Sequence, residues 1–140
     1  MRWRSGSAGE RGRVLSSSAW LGLVGIALAG GLGSAIRLTL SHWHGRLPWG
    51  ILTGNSVASA VVGFAFVLSQ HGVGWDPLWA GLLATGFAGG LSTFSSWAAQ
   101  TVHFFSQEQK RAGMANLLLN LVIPVACVLL GIFFGAFLLK

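Results

Sequence analysis

The polar side chains best placed to do chemistry in this sequence lie inside long apolar runs, and every one of them is neutral. They are Asn55 in one run, Ser92, Thr93, Ser95, Ser96 and Gln100 in a second, and Asn116 and Asn120 in a third. Neutral amides and hydroxyls offer hydrogen bonds without a fixed charge, which suits a small ion that must pass without being trapped. Asn116 and Asn120 are four apart and share a helix face. Pro124 has no N–H to give the carbonyl of Asn120, so that face gains an acceptor. Two readings of these asparagines stand together: a polar path for a solute, or hydrogen bonds between helices worth about 0.6 kcal/mol each. Phe94 and Trp97, three apart, project to one side of a helical segment. An aromatic ring has a positive edge, so this pair can either attract a small anion edge-on or pack in a core. Arg37 is the one basic residue inside an apolar run, where it either snorkels to the interface or draws anions to a vestibule.

Other chemistries lack their residues. The acids are Glu10, Asp76 and Glu108. None of them falls in an apolar run, so no carboxylate pair is available for acid–base catalysis, and the chain reads as a non-enzyme. His42 and His44 flank Trp43, an incomplete set for a metal without nearby cysteine or carboxylate. His71 and His103 read as polar residues at the ends of apolar runs. The lone Cys127 lies inside the last run and can form no intramolecular disulfide, so it reads as a packing residue. The net charge of +6 comes from basic residues scattered over tail and loops rather than clustered on one surface, which argues against nucleic-acid binding.

The elements that must position these groups are membrane spans. Of 140 residues, 53% are hydrophobic and 9% charged, with a mean hydropathy of +0.66, a balance that a water-soluble domain of this size does not show. Crossing a bilayer takes about 20 mostly apolar residues. Four such stretches are predicted, at about Trp20 to Leu40, Trp49 to Ser69, Leu78 to Phe105 and Met114 to Leu139. Brief loops join them at His42 to Pro48, Gln70 to Pro77 and Ser106 to Gly113. Residues 1–18 form a Gly- and Ser-containing tail, expected to be disordered, whose Arg2, Arg4, Arg11 and Arg13 hold that end in the cytoplasm. Residues 19–140 are expected to form one transmembrane domain. The first run is read as a span rather than a secretory signal because three more follow it.

Trp20, Trp43, Trp49, Trp75 and Trp79 fall near span ends, where indoles favour the headgroup region. Small residues recur at helical spacing, as in Gly25, Ala29 and Gly33, Gly54 and Ala58, Gly81, Thr85 and Gly89, and Gly131 and Gly135. They let helices approach closely in lipid. The third stretch is too long for one straight span: as a single helix it would measure about 42 Å against a hydrocarbon core of about 30 Å. A break is expected over Gly86 to Thr93, where two adjacent glycines precede hydroxyl residues. Non-helical backbone at membrane depth survives only when buried in protein or lining a watery cavity, so the break marks an ion or solute site.

Gly89-Gly90-Leu91-Ser92-Thr93-Phe94-Ser95-Ser96-Trp97 resembles the GG-x-TTFSTF signature of the CrcB/Fluc family of small fluoride ion channels. Gly30 to Arg37 is similar to that family's GGxxGAxxR, Gly50 to Ser59 to its GTLxxNxxGS, and Asn116 to Asn120 to a pattern of some members' fourth span. The resemblance covers about Gly30 to the C-terminus. It implies a four-helix integral membrane protein of the cell membrane with a broken third helix, assembled as an antiparallel dual-topology dimer with two fluoride pores and a structural sodium ion (Na+) at the two-fold axis. Carried over, Gly89 and Ser92 would hold sodium through backbone carbonyls. Asn55, Phe94 and Trp97 would line the pore with Ser95 and Ser96 nearby, and Asn116 and Asn120 would join them. The function implied is passive export of fluoride that entered as hydrogen fluoride, without ATP or proton coupling.

Four positions depart from the pattern. Trp97 replaces the second phenylalanine, Ser92 the first threonine, Ala58 a glycine and Gln100 a glutamate. A tryptophan is larger and can narrow its pore, whereas Ser92 offers the same carbonyl. With an even number of spans, the tail, second loop and C-terminus share a side and carry Arg2, Arg4, Arg11, Arg13 and Lys140, against Arg46, Lys110 and Arg111. That asymmetry favours one orientation and raises a second possibility, a weakly conducting subunit paired with an oppositely inserted paralogue rather than with itself. A small multidrug-type transporter would need an acid inside a span to couple protons, and none is present.

Overall fold

A computed structural model describes residues 17–43, 45–70 and 77–140 of the chain. All regular structure among these residues is helical. Three helices are long and apolar enough to cross a membrane: α1 (Ser17–Ser41), α2 (Trp49–Gln70) and α6 (Lys110–Leu138). The stretch between α2 and α6 is divided into α3 (Pro77–Gly81), a π-helical segment (Leu82–Ala88), α4 (Gly89–Leu91) and α5 (Phe94–Ser106). The tail and its four arginines lie outside the described residues, as do His44, His71, Trp75 and Asp76.

The break expected over Gly86 to Thr93 falls at the last two of those residues. Ser92 (φ −78, ψ 153) and Thr93 (φ −151, ψ 115) are extended, while Gly89 and Gly90 remain helical. The reason lies in packing. A Cβ on Gly90 would run into the carbonyl oxygen of Gly30 on α1, so this glycine lets two backbones touch rather than loosening its own. The π-helical segment, where each turn holds an extra residue, is not among the features expected from the sequence.

The last connection is tighter than the predicted Ser106 to Gly113. Gln107, Glu108 and Gln109 suffice, because the end of α5 closes with the Gln109 amide donating to Phe104 O (2.9 Å) and the Glu108 amide to Phe105 O (3.1 Å). Glu108 sits in the left-handed region at φ 58, the position where helix ends often place glycine. Helix α6 can therefore begin at Lys110 and not at Met114.

Helices α2 and α6 pack most extensively, and α1 lies against the π-helical segment and α4. Gly131 makes the first contact possible, since a Cβ there would meet the carbonyl oxygen of Ala60. Ala58, Ala88 and Leu91 form a small buried core, with Ile36, Leu40, Val61 and Phe87 around it. The polar Thr93, Thr101, Asn116 and Asn120 are also buried, while Leu121, Val125, Leu129 and Phe133 of α6 face outward. Polar side chains held inside an apolar exterior are the arrangement expected where lipid is the solvent.

Candidate functional site

The break between α4 and α5 frees backbone groups that lipid cannot satisfy. Asn55 of α2 takes up those of Thr93. Its Oδ1 accepts the Thr93 amide at 2.8 Å, and its Nδ2 donates to the Thr93 carbonyl at 3.4 Å. Thr93 in turn caps α5, its Oγ1 accepting the Ser96 amide at 3.3 Å. In an unbroken helix these two amides would serve the carbonyls of Gly89 and Ser92, four residues back. Engaging them elsewhere leaves both carbonyls without their helical donors. Gly89 and Ser92 are exposed in the single chain and line one cavity of about 180 Å³ with Ala58, Ser59 and Val62.

From Asn55 a hydrogen-bonded chain runs into α6. Asn55 Nδ2 donates to Asn120 Oδ1 (3.3 Å), and Asn120 Nδ2 reaches Asn116 Oδ1 (3.1 Å). Asn116, 1% exposed, donates through Nδ2 to Thr101 Oγ1 (2.8 Å), and the Thr101 hydroxyl donates to the Trp97 carbonyl (2.9 Å). The Trp97 indole N–H donates back to the Asn116 carbonyl at 3.1 Å. Asn116 and Asn120 thus share one face, as their spacing predicts, and they do bridge helices.

On the other side of the cap, Thr93, Ser95 and Ser96 line a cavity of about 310 Å³ with Arg37, Ser34 and Ser41. The Thr93 hydroxyl donates to Ser96 Oγ at 3.0 Å. This cavity meets the first turn of α5, the positive end of that helix dipole, and no acid among the described residues lines it. Phe94 points out of the single chain at 74% exposure. It meets Trp97 edge to face, with ring centroids 5.2 Å apart and planes at 80°. One turn on, Gln100 keeps a buried Oε1 with no partner among the described residues and borders a cavity of about 260 Å³ beside His103.

A family model described as CrcB-like protein, camphor resistance (CrcB), matches residues 24–132, more than half of the chain. The chain belongs to this family. It is 34% identical over 104 residues to the fluoride-specific ion channel FluC of Salmonella arizonae, covering 71% of this chain and 82% of that protein. It is 41% identical over 81 residues to the fluoride-specific ion channel FluC of Leptospira interrogans strain Fiocruz L1-130, covering 54% of this chain. The matched part spans 64% of that relative's length. Family membership and the three long apolar helices make the chain a membrane-embedded, multi-pass protein.

Within this CrcB-like fold, Asn55, Trp97, Asn116 and Asn120 come together in one network, while Ser95, Ser96 and Arg37 share the cavity at the start of α5. Phe94 joins them only through the Trp97 ring. Gly89 and Ser92 lie apart, on the 180 Å³ cavity. Thr101 belongs to the network although sequence reasoning did not select it. Its only signal was its place four residues after Trp97, on the same helix face.

Proposed function

We propose that the chain is a subunit of a fluoride-selective ion channel through which fluoride leaves the cytoplasm passively. The observation that carries this reading is the cavity where Arg37, five hydroxyl residues and the positive end of α5 converge with no acid among the described residues that line it. The names of the Salmonella and Leptospira relatives supply the ion. In this reading Phe94 and Trp97, at the first turn of the same helix, supply the ring edges that an anion drawn there would meet.

In this reading the broken stretch, third in chain order, adds a fourth crossing to the three long helices. Its two arms, residues 77–91 and α5, measure about 22 and 20 Å at 1.5 Å per residue, each too short alone and sufficient end to end. The 74% exposure of Phe94 and the exposure of Gly89 and Ser92 give a second, oppositely inserted subunit a surface to complete. The carbonyls of Gly89 and Ser92 suit a sodium ion at the two-fold axis, since both have lost their helical donors and oxygen is what a hard cation prefers. Bound there, sodium would supply positive charge that ties the two broken helices together.

The test is fluoride efflux from liposomes holding this chain alone, with chloride as control anion and protein-free vesicles as background. Fluoride-selective efflux is expected. Folded protein that releases no fluoride alone but does so with a paralogue added would replace the homodimer with a paired-subunit assembly. No efflux in either case would overturn the channel reading.

A further inference from the structure

Trp97 stands where the family signature has phenylalanine, and its added feature is an N–H. An indole N–H is a good hydrogen-bond donor. If it faced an anion pathway it would offer fluoride a strong, sticky site, where conduction needs weak ones. The structure gives that N–H a partner within the protein. Three hydrogen bonds close a ring between α5 and α6: Trp97 Nε1 to the Asn116 carbonyl (3.1 Å), Asn116 Nδ2 to Thr101 Oγ1 (2.8 Å), and the Thr101 hydroxyl to the Trp97 carbonyl (2.9 Å). Within the ring each residue donates once and accepts once, and the Asn116 carbonyl is shared with Asn120 Nδ2 at 3.2 Å. Asn116 is 1% and Thr101 7% exposed, so water is not a ready substitute for either partner. Tethered at Nε1, the indole cannot swing about its side-chain torsions, and it holds Phe94 edge to face at 5.2 Å.

We infer that Trp97 is a positioning residue whose N–H is withheld from the ion: bonded to the Asn116 carbonyl, it fixes the indole so that only ring atoms border the pathway and Phe94 keeps one orientation. The substitution therefore preserves an all-ring lining and does not plug it. This rests on the fluoride reading for its consequence in flux, whereas the tether itself can be tested without any flux.

The first arm uses the full chain labelled with 15N-tryptophan in detergent micelles, with the Trp97 indole resonance assigned by its loss in Trp97→Phe. Slow solvent exchange and no shift on titration with sodium fluoride are expected. A rapidly exchanging resonance, or one that moves as fluoride binds, overturns the inference. In the second arm Trp97 is replaced by β-(benzothien-3-yl)alanine, which keeps the bicyclic shape and removes the N–H. Fluoride flux in liposomes should fall about two- to tenfold, the range that loss of one such hydrogen bond allows. Thr101→Val should act in the same direction, and Thr101→Ser should restore flux by keeping the hydroxyl. Unchanged or increased flux in the N–H-free chain overturns the inference. If the unaltered chain carries no fluoride, the channel reading fails and the exchange measurement alone decides the tether.

Discussion

Asn55 does what no other described residue is placed to do. One side-chain amide has an acceptor and two donors, and here it matches the C=O and N–H of extended Thr93 while its remaining hydrogen reaches Asn120. Replacing it by alanine would leave the Thr93 amide and carbonyl unpaired at membrane depth. Asn55→Ala is therefore expected to cost about 1–3 kcal/mol per group left unsatisfied and to abolish fluoride flux. Thermal unfolding in detergent, read beside liposome efflux, checks this; an unaltered melting temperature would mean that another group satisfies Thr93. Its role was half legible in the sequence. A lone asparagine in an apolar run announces a partner, but the partner is 38 positions away and part of the backbone.

Among the elements, the α2–α6 pair is the frame that brings Asn55 to Asn120. Lipid gives little hydrophobic reward for helix association, so this contact depends on close backbone approach. Gly131 and Gly63 are both points of such approach, and at Gly131 Ala60 O lies where a side chain would begin. Gly131→Val should force the helices apart and destabilise the fold by about 1–3 kcal/mol, as overpacking does. The Asn55–Asn120 bond should lengthen with it. A lower melting temperature with reduced flux is the expected result, while Gly31→Val, at a position where a Cβ meets nothing within 4 Å, should leave both unchanged. Small-residue spacing pointed to Gly131 in advance. It did not say which carbonyl the glycine would face, because that depends on the crossing of two helices whose contacting residues are some 70 positions apart.

For the whole molecule, the question is how an apolar chain with net charge +6 treats an anion. Of the basic side chains in its long apolar helices, Lys110 and Arg111 stand in the first turn of α6, whereas Arg37 lies within α1 and borders the hydroxyl-lined cavity. A charge at a cavity mouth acts on approach, and inert salt screens it over about 8 Å at physiological ionic strength. Arg37→Gln should accordingly slow fluoride efflux several-fold at low salt, with the gap to the unaltered chain closing as inert salt is added. Initial efflux rates across a salt series measure this. A gap independent of salt would assign Arg37 to ion binding inside the route rather than to attraction at its mouth.

The sequence by itself determined the solvent, the positions of α1, α2 and α6 to within a few residues, and the need for a break before α5. Each follows from local composition: apolar length against bilayer thickness, and a stretch too long to cross unbroken. It also singled out Asn55, Asn116, Asn120, Ser95, Ser96, Trp97 and Arg37. Only the tertiary structure decided that Ser92 and Thr93, rather than the glycines before them, carry the break. The same holds for Thr101's place in the network and for the direction in which the Trp97 N–H points. Those outcomes turn on which backbone groups lie opposite in space, and helices distant in sequence meet there only once the bundle has packed.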